Sequence, residues 1–345
     1  MAYTTIKKPS DYFNTKLYTG NGGTQAVTGV GFQPDFTWIK RRDGGTASHQ
    51  LFDAVRGVTK RIFSNTTDAE NTSATTLTAF GTDGFTVGSN TGVNPNGNGV
   101  VAWNWLANGA GSANTDGATA STVSVNTTAG FSIVKYTGAG STTYGHGLGT
   151  TPHMIIIKKL NSSDDWFVYH HTLLTPSATQ KQFILLNSTS AFASNGSATT
   201  FTSVSNSTFG VGTDDKISES GDSFIAYCFA EKQGYSKFGS YVGNGNADGT
   251  FVYTGFKPAF VIAKSSTSVT EWHMADTARR PNNPNDVYLA ASSSAAESTS
   301  NGVDFLSNGI KINTSQGGWN QSGATFIYMA FAEEPLVGDN PATAR

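Results

Sequence analysis

The chain has 345 residues, a length that suggests two or three domains with separate cores. Its formal net charge of -2 and isoelectric point near 6.3 give it no global positive field, which excludes nucleic acid as an expected partner. Only 13% of residues are charged while 39 are glycine, a balance of turns and strands that excludes an architecture of long charged helices.

The first residues, MAYTTIKKPSDYFNTK, lack the apolar run of a secretory signal, and no stretch approaches a membrane-spanning length. Synthesis in a cytoplasm and no membrane insertion are the expectations. Residues 1–15 are expected to form an attachment segment. Lys7, Lys8, Tyr12 and Phe13 cluster there around Pro9, which favours an extended conformation that seeks a partner.

A first unit follows over 16–108. It contains a Tyr-x-Gly-x-Gly turn (YTGNG, 18–22), the decapeptide GFQPDFTWIK (31–40), the polar-aromatic stretch SHQLFDAVRG (48–57), an alternating strand in DGFTVGS (83–89) and a closing apolar strand VVAWNWLA (100–107). Residues 109–131, rich in Gly, Ser, Thr and Asn, read as a linker. The same order then recurs over 132–231: YTGAG, GTTPHMIIIK, DWFVYHHTLL, NSTFGVGT and FIAYCFAE. It recurs again over 232–345, which includes a C-terminal tail: YVGNG, GFKPAFVIAK, EWHMADTARR, LSNGIKIN and FIYMAFAE. The decapeptides begin at 31, 149 and 255, 118 and then 106 residues apart, a period suited to small domains and too long for a solenoid. The join KQGYSKF (232–238) is too short for a flexible tether, so the second and third units should pack together.

Pro34, Pro152 and Pro258 are expected to open a strand, and the apolar runs behind them read as strands buried on both faces. The closing strands alternate large aromatic and small residues, as interdigitating sheets require. The fold expected is all-β, three tandem β-sandwich domains of jelly-roll or lectin-like type related by internal repeat. Lys40, Lys158 and Lys264 end the decapeptides and are expected to lay their methylenes on the sheet with the charge in water. The basic run Lys40-Arg41-Arg42 reads as a solvated strand end. Cys228, the single cysteine, reads as a small core residue.

The glycine turns lack the strand-before, helix-after context of a phosphate loop. His170 and His171 would point to opposite faces of a strand and cannot share a metal. No facing carboxylate pair and no nucleophile elbow are found. No cofactor, no metal and no enzymatic activity are therefore expected. Trp166, His170, Trp272, Asp276 and Arg279, in the segments behind the second and third decapeptides, are the candidate ligand-binding residues: they could stack on and hydrogen-bond a sugar. Alternatively, these strands pack their aromatics inward and expose their charges.

The ordered string PSDYFNTKLYTGNGGTQ, GFQPDFTWIK, LFDAVRG, DGFTVGS, VAWNWLA, TTAGFSIVKYTG, FIAYCFAE, YSKFGSYVGNGNADGTFVYTGFKPAF and IYMAFAEEP resembles structural proteins of marine and other environmental tailed bacteriophages, often labelled tail fibre, some with concanavalin-like sandwiches. The resemblance spans almost the whole chain; the second unit, with GTTPHM in its decapeptide, departs most. It implies a non-enzymatic virion-surface protein made in the host bacterial cytoplasm, of the tail-fibre or receptor-binding kind, with capsid decoration as the alternative. The partners implied are other virion proteins, of the tail or the major capsid, and host surface polysaccharide; a homo-oligomer is compatible with it.

Overall fold

The strand Phe36–Arg41 explains the architecture in miniature. Phe36, Trp38 and Lys40 project to one face and Thr37 and Ile39 to the other, and all five are buried, so the strand must be covered on both sides. In this computed structural model, which describes residues 3–194, 196–299, 302–338, 341 and 342, it is the third strand of a four-stranded antiparallel sheet ordered Phe13–Thr19, Gly99–Trp105, Phe36–Arg41, Gln50–Asp53. A three-stranded sheet, Gln25–Thr28, Gly84–Val87 and Leu77–Gly81, covers its outer face through Val27, Phe85, Ile39 and Phe52.

The same pairing is made twice more. Met154–Lys159 lies between Ser223–Phe229 and Phe167–His170, and Phe256–Ser265 between Thr325–Pro335 and His273–Asp276. Each carries its own outer sheet, with Thr208–Val211 and Gly309–Ile312 as central strands. The chain is thus all-β; among the described residues the helices are single turns, Asp215–Ser218 and Gly317–Asn320, with one 3-10 turn at Pro9–Asp11. None is long and apolar enough to cross a membrane.

Register ties the three sheets together in kind. Phe36 faces Trp105, Met154 faces Phe229 and Phe260 faces Phe331; two residues on, Trp38 faces Trp103, Ile156 faces Tyr227 and Ile262 faces Met329. Pro34, Pro152 and Pro258 each stand two residues before the first of these pairs. Pro34 and Pro152 precede their strands. Pro258 lies inside Phe256–Ser265, where the register slips on both sides of it, so the missing N–H falls at an irregularity in the ladder.

The inner faces of the three sheets do not bury separate cores. Phe36, Trp38, Trp103 and Trp105 from the first, Phe131, Ile156, Tyr227 and Phe229 from the second, and Phe260, Ile262, Met329 and Phe331 from the third form one cluster. Phe36 stacks on Tyr227 at 4.3 Å between ring centres, and Trp105 meets Phe229 at 6.3 Å and Phe331 at 5.7 Å. Three smaller cores lie outside it, between each inner sheet and its own outer sheet. Each unit is thus a two-layered sandwich with a core of its own, and the inner layers of all three also close round a shared centre. Cys228 lies fully buried in the second outer core, where burial pushes its thiol pKa up.

Residues 109–131 are not a linker. Ser112–Asn114 and Ser121–Asn126 are strands that extend the second inner sheet, Ser121–Asn126 pairing along Phe131–Thr137. Val123 and Val125 give that stretch an apolar face that its Ser/Thr-rich composition conceals.

The N-terminal segment is a strap across the same molecule; Met1 and Ala2 lie outside the described residues. Tyr3 donates to the Gly255 carbonyl at 2.5 Å, Ile6 is buried in the shared core, and Tyr12 packs edge-on to Tyr235. Phe13 begins the first strand and stacks on Phe331 at 5.0 Å. Of the four residues expected to attach to a partner, Tyr12 and Phe13 are therefore committed internally, whereas Lys7 and Lys8 are exposed, Lys8 paired with Asp11 at 2.6 Å. Deleting residues 1–12 should lower the thermal midpoint, because Ile6 alone is expected to contribute about 2–5 kcal/mol. Calorimetry that finds the truncated and full-length chains equally stable would show that the strap contributes nothing.

Candidate functional site

The recurrent polar side chains converge on the seams between neighbouring inner sheets. Alternation along Phe36–Arg41 sends Lys40 to the same face as Phe36 and Trp38, inward, and Lys158 and Lys264 follow by the same count. All three are fully buried, which corrects the expectation of solvated ammonium groups. Each donates to one carbonyl of its own unit and one of the neighbouring unit. Lys40 bonds Arg41 O (2.9 Å) and Ser294 O (3.3 Å); Lys158 bonds Asp164 O (2.9 Å) and Thr67 O (3.0 Å); Lys264 bonds Thr270 O (2.6 Å) and Thr189 O (2.9 Å). The ties run from first unit to third, second to first and third to second, a closed cycle.

A second cycle runs in the same sense. Trp166 Nε1 donates to Phe63 O at 2.9 Å and Trp272 Nε1 to Leu185 O at 2.8 Å. In the first unit the corresponding place is held by His49, whose Nε2 lies 2.9 Å from Ala290 O. The basic run also ends in a seam, because Arg42 clasps the Glu297 carboxylate with two bonds of 2.7 and 2.9 Å. It is not a solvated strand end.

The third cycle runs in the opposite sense and holds buried charge. Asp53 and Asp276 occupy matching register positions, opposite Phe36 and Phe260, and each is followed three residues later by an arginine. Asp53 Oδ2 accepts from Arg56 Nε at 2.5 Å and from the Tyr227 hydroxyl of the second unit at 2.7 Å. Asp276 Oδ2 accepts from Arg279 Nε at 2.5 Å and from Trp103 Nε1 of the first unit at 3.1 Å. Both ion pairs are completely shielded from water. Arg56 reaches on to Glu70 and Arg279 to Glu297, each at 3.2 Å. The guanidinium of Arg279 also lies over the Trp103 ring, 5.5 Å from its centre.

In the second unit His170 and Leu173 stand where the other two place aspartate and arginine, and His170 Nε2 lies 3.2 Å from Tyr328 O of the third. Burial drives the His170 pKa down to about 3, so it is a neutral partner in place of an ion pair. His171 turns outward, with its Nε2 3.1 Å from Phe238 O.

Trp166, His170, Trp272, Asp276 and Arg279, the expected sugar ligands, are therefore all buried; the first four bond across seams, Arg279 lies over Trp103 of the first unit, and none offers a ring face or polar tip to a ligand in solution. The structure brings together Asp276 and Arg279, places His170 and Trp272 at different bonds of the seam between the second and third units, and leaves Trp166 in that between the second and first. Sequence reasoning passed over Asp53, Arg56, Tyr227, Trp103 and His49. The signal for the first two was the shared Asp-x-x-Arg spacing of LFDAVRG and MADTARR, which reads as a buried pair only once a neighbouring sheet covers it. Among the described residues no group of three or more His, Cys, Asp or Glu could hold a metal ion.

Burial lowers the pKa of Lys40, Lys158 and Lys264 from the ordinary 10.5 to about 8, with Arg41 adding to the effect at Lys40 and carboxylates opposing it at all three. The folded value lies below the unfolded one, so their contribution to stability is least below pH 8 and grows as the pH rises toward 10.5. Tyr18, Tyr136, Tyr227 and Tyr241, whose pKa values burial raises above 10.0, act oppositely once the pH passes 10. The urea midpoint should therefore rise between about pH 8 and about pH 9.5 and then fall. Replacing the three lysines by methionine should flatten the rise. A wild-type midpoint that stays level or drops across that window would contradict the buried lysines.

No curated protein and no solved structure matches the chain. Residues 8–335, nearly the entire length over which the seams recur, match the family DUF7483, described as a domain of unknown function, and the chain belongs to that family.

Proposed function

We propose that the protein is a non-enzymatic structural component of a bacteriophage virion surface, of the tail-fibre or receptor-binding kind, that engages host surface glycans. The observation that carries this reading is the use made of the recurrent polar groups: lysines, aspartates and indoles tie one sheet to the next, and the arginines hold the aspartates that do so. Satisfied buried networks of this kind stiffen a block and specify one arrangement of its parts, whereas a catalytic cleft leaves such groups facing a reactant. The ordered motifs that resemble phage structural proteins supply the setting, with synthesis in the host bacterial cytoplasm and tail proteins as partners.

A second reading is favoured by the cyclic seams. Three like units in one closed ring suit a seat with three similar subsites, as a decoration protein bound to the major capsid protein would need. Cryo-electron microscopy of the virion, with antibody labelling of this chain, tests both. Density on the tail supports the first reading and density on the icosahedral shell the second. Purified particles that lack the chain would overturn both.

A further inference from the structure

The outer sheet of the third unit departs from the other two at two positions. Register aligns Phe251 with Ala26 and Thr143, and Tyr253 with Thr28 and Gly145, all on the face turned away from buried Val252, Val27 and Tyr144, which in the second unit is covered at Gly145 by Asn114 and Asp116. The first two units place small residues there. The third exposes two aromatic rings, Phe251 at 43% and Tyr253 at 56%. Exposing a pair of rings with no fold-level need for them is the kind of departure that marks a binding surface.

Tyr253 borders a cavity of about 320 Å³ whose other walls include Tyr3, Glu231, Gln233, Lys237 and Gly255. The N-terminal strap supplies Tyr3, and the short connector between the second and third inner sheets supplies Glu231 and Gln233. Gly255, at φ +81°, forms part of the wall. A Cβ there would come within 3.1 Å of the Tyr3 hydroxyl and 3.6 Å of the Tyr253 hydroxyl, so both phenols converge on a spot kept clear of side chain. Glu231 and Lys237 pair at 2.7 Å and are each partly open to water.

We infer that this cavity is a carbohydrate site in which a sugar ring stacks on Tyr253 and its hydroxyls bond the Glu231–Lys237 pair and the Gln233 amide. A pyranose has an apolar C–H face and a rim of hydroxyls that both donate and accept. It therefore matches one exposed ring beside a carboxylate, an ammonium and an amide. The volume lies at the small end of ligand pockets, room for one or two sugar rings. Two rings and a cavity of this size also fall well short of the roughly 800 Å² per partner that a stable protein interface buries. The inference deepens the receptor-binding reading and rests on it for the source of the sugar, but not for binding, which is measured on the isolated protein.

The test is a glycan array of bacterial O-antigen and capsular oligosaccharides, followed by calorimetric titration of the strongest sugar into wild type, Tyr253→Ala, Tyr253→Phe and Glu231→Gln. Saturable binding that weakens about tenfold or more in Tyr253→Ala, is largely kept in Tyr253→Phe and is reduced in Glu231→Gln is the expected result. Tyr253 is a surface position, and an unchanged circular dichroism spectrum and melting point establish that the Tyr253→Ala protein is folded. Absence of saturable binding to any arrayed sugar overturns the proposal, as does binding that Tyr253→Ala leaves intact. A host protein that binds through Tyr253 while no sugar does would overturn it in favour of a protein interface. Binding retained by a chain that proves absent from virions would sink the virion reading and leave the sugar site standing.

Discussion

Trp105→Ala should destabilise the whole chain by about 3–5 kcal/mol and do so in a single unfolding transition. The indole is 1% exposed, and its ring neighbours come from all three inner sheets: Phe13 and Phe36 from its own, Phe229 from the second, Phe260 and Phe331 from the third. Truncation removes the central piece of a closely packed cluster, and the cavity left is bounded by side chains that three sheets hold in place, so little collapse can refill it. Were the units independent sandwiches, the substitution would melt residues of the first unit and leave the others at their original midpoint. Hydrogen exchange read separately over the three closing strands distinguishes the two. Protection lost together in Gly99–Trp105, Ser223–Phe229 and Thr325–Pro335 is the outcome expected of a common core, and selective loss in the first strand would contradict it.

Arg56→Ala should cost a comparable amount, about 3–5 kcal/mol, because it strands the Asp53 carboxylate in a site without water. Burial by itself disfavours the guanidinium charge, yet the surrounding Asp53, Tyr227 and Glu70 raise the Arg56 pKa, so the guanidinium stays charged in the seam. The second unit already contains the neutral solution, His170 and Leu173 at the corresponding places. The double variant Asp53→His, Arg56→Leu should therefore be more stable than Arg56→Ala, approaching wild type, since removing both charges removes the unpaired one. Denaturant titrations of wild type, the Arg56→Ala variant and the double variant decide this. A double variant less stable than Arg56→Ala would show that the ion pair contributes more than charge compensation.

Strand positions were legible from local pattern. The decapeptides, the closing strands and the alternating segments NSTFGVGT and LSNGIKIN all became strands, because β-branched and aromatic alternation between glycine turns reports a pleated, buried segment whatever lies against it. Residues 109–131 failed as a linker for the converse reason: their two strands are Ser- and Thr-rich, and only pairing with Phe131–Thr137 reveals that Val123 and Val125 have an apolar neighbour.

The candidate site was legible as composition and not as place. The segments SHQLFDAVRG, DWFVYHHTLL and EWHMADTARR are distinctive in the sequence, but whether Trp166 or Asp276 faces water depends on what lies beyond its sheet, which is a segment of another unit 100 or more residues away. The lysines make the point most sharply. Alternation from Phe36 through Trp38 puts Lys40 on the inward face, as the same count does for Lys158 and Lys264. Local sequence thus settled the period, the apolar strands and the face each of their side chains takes, because these follow from backbone geometry over a few residues. Which faces became interior was decided when three inner sheets closed on one another, since burial is a property of the surfaces that meet and no short stretch of chain contains both.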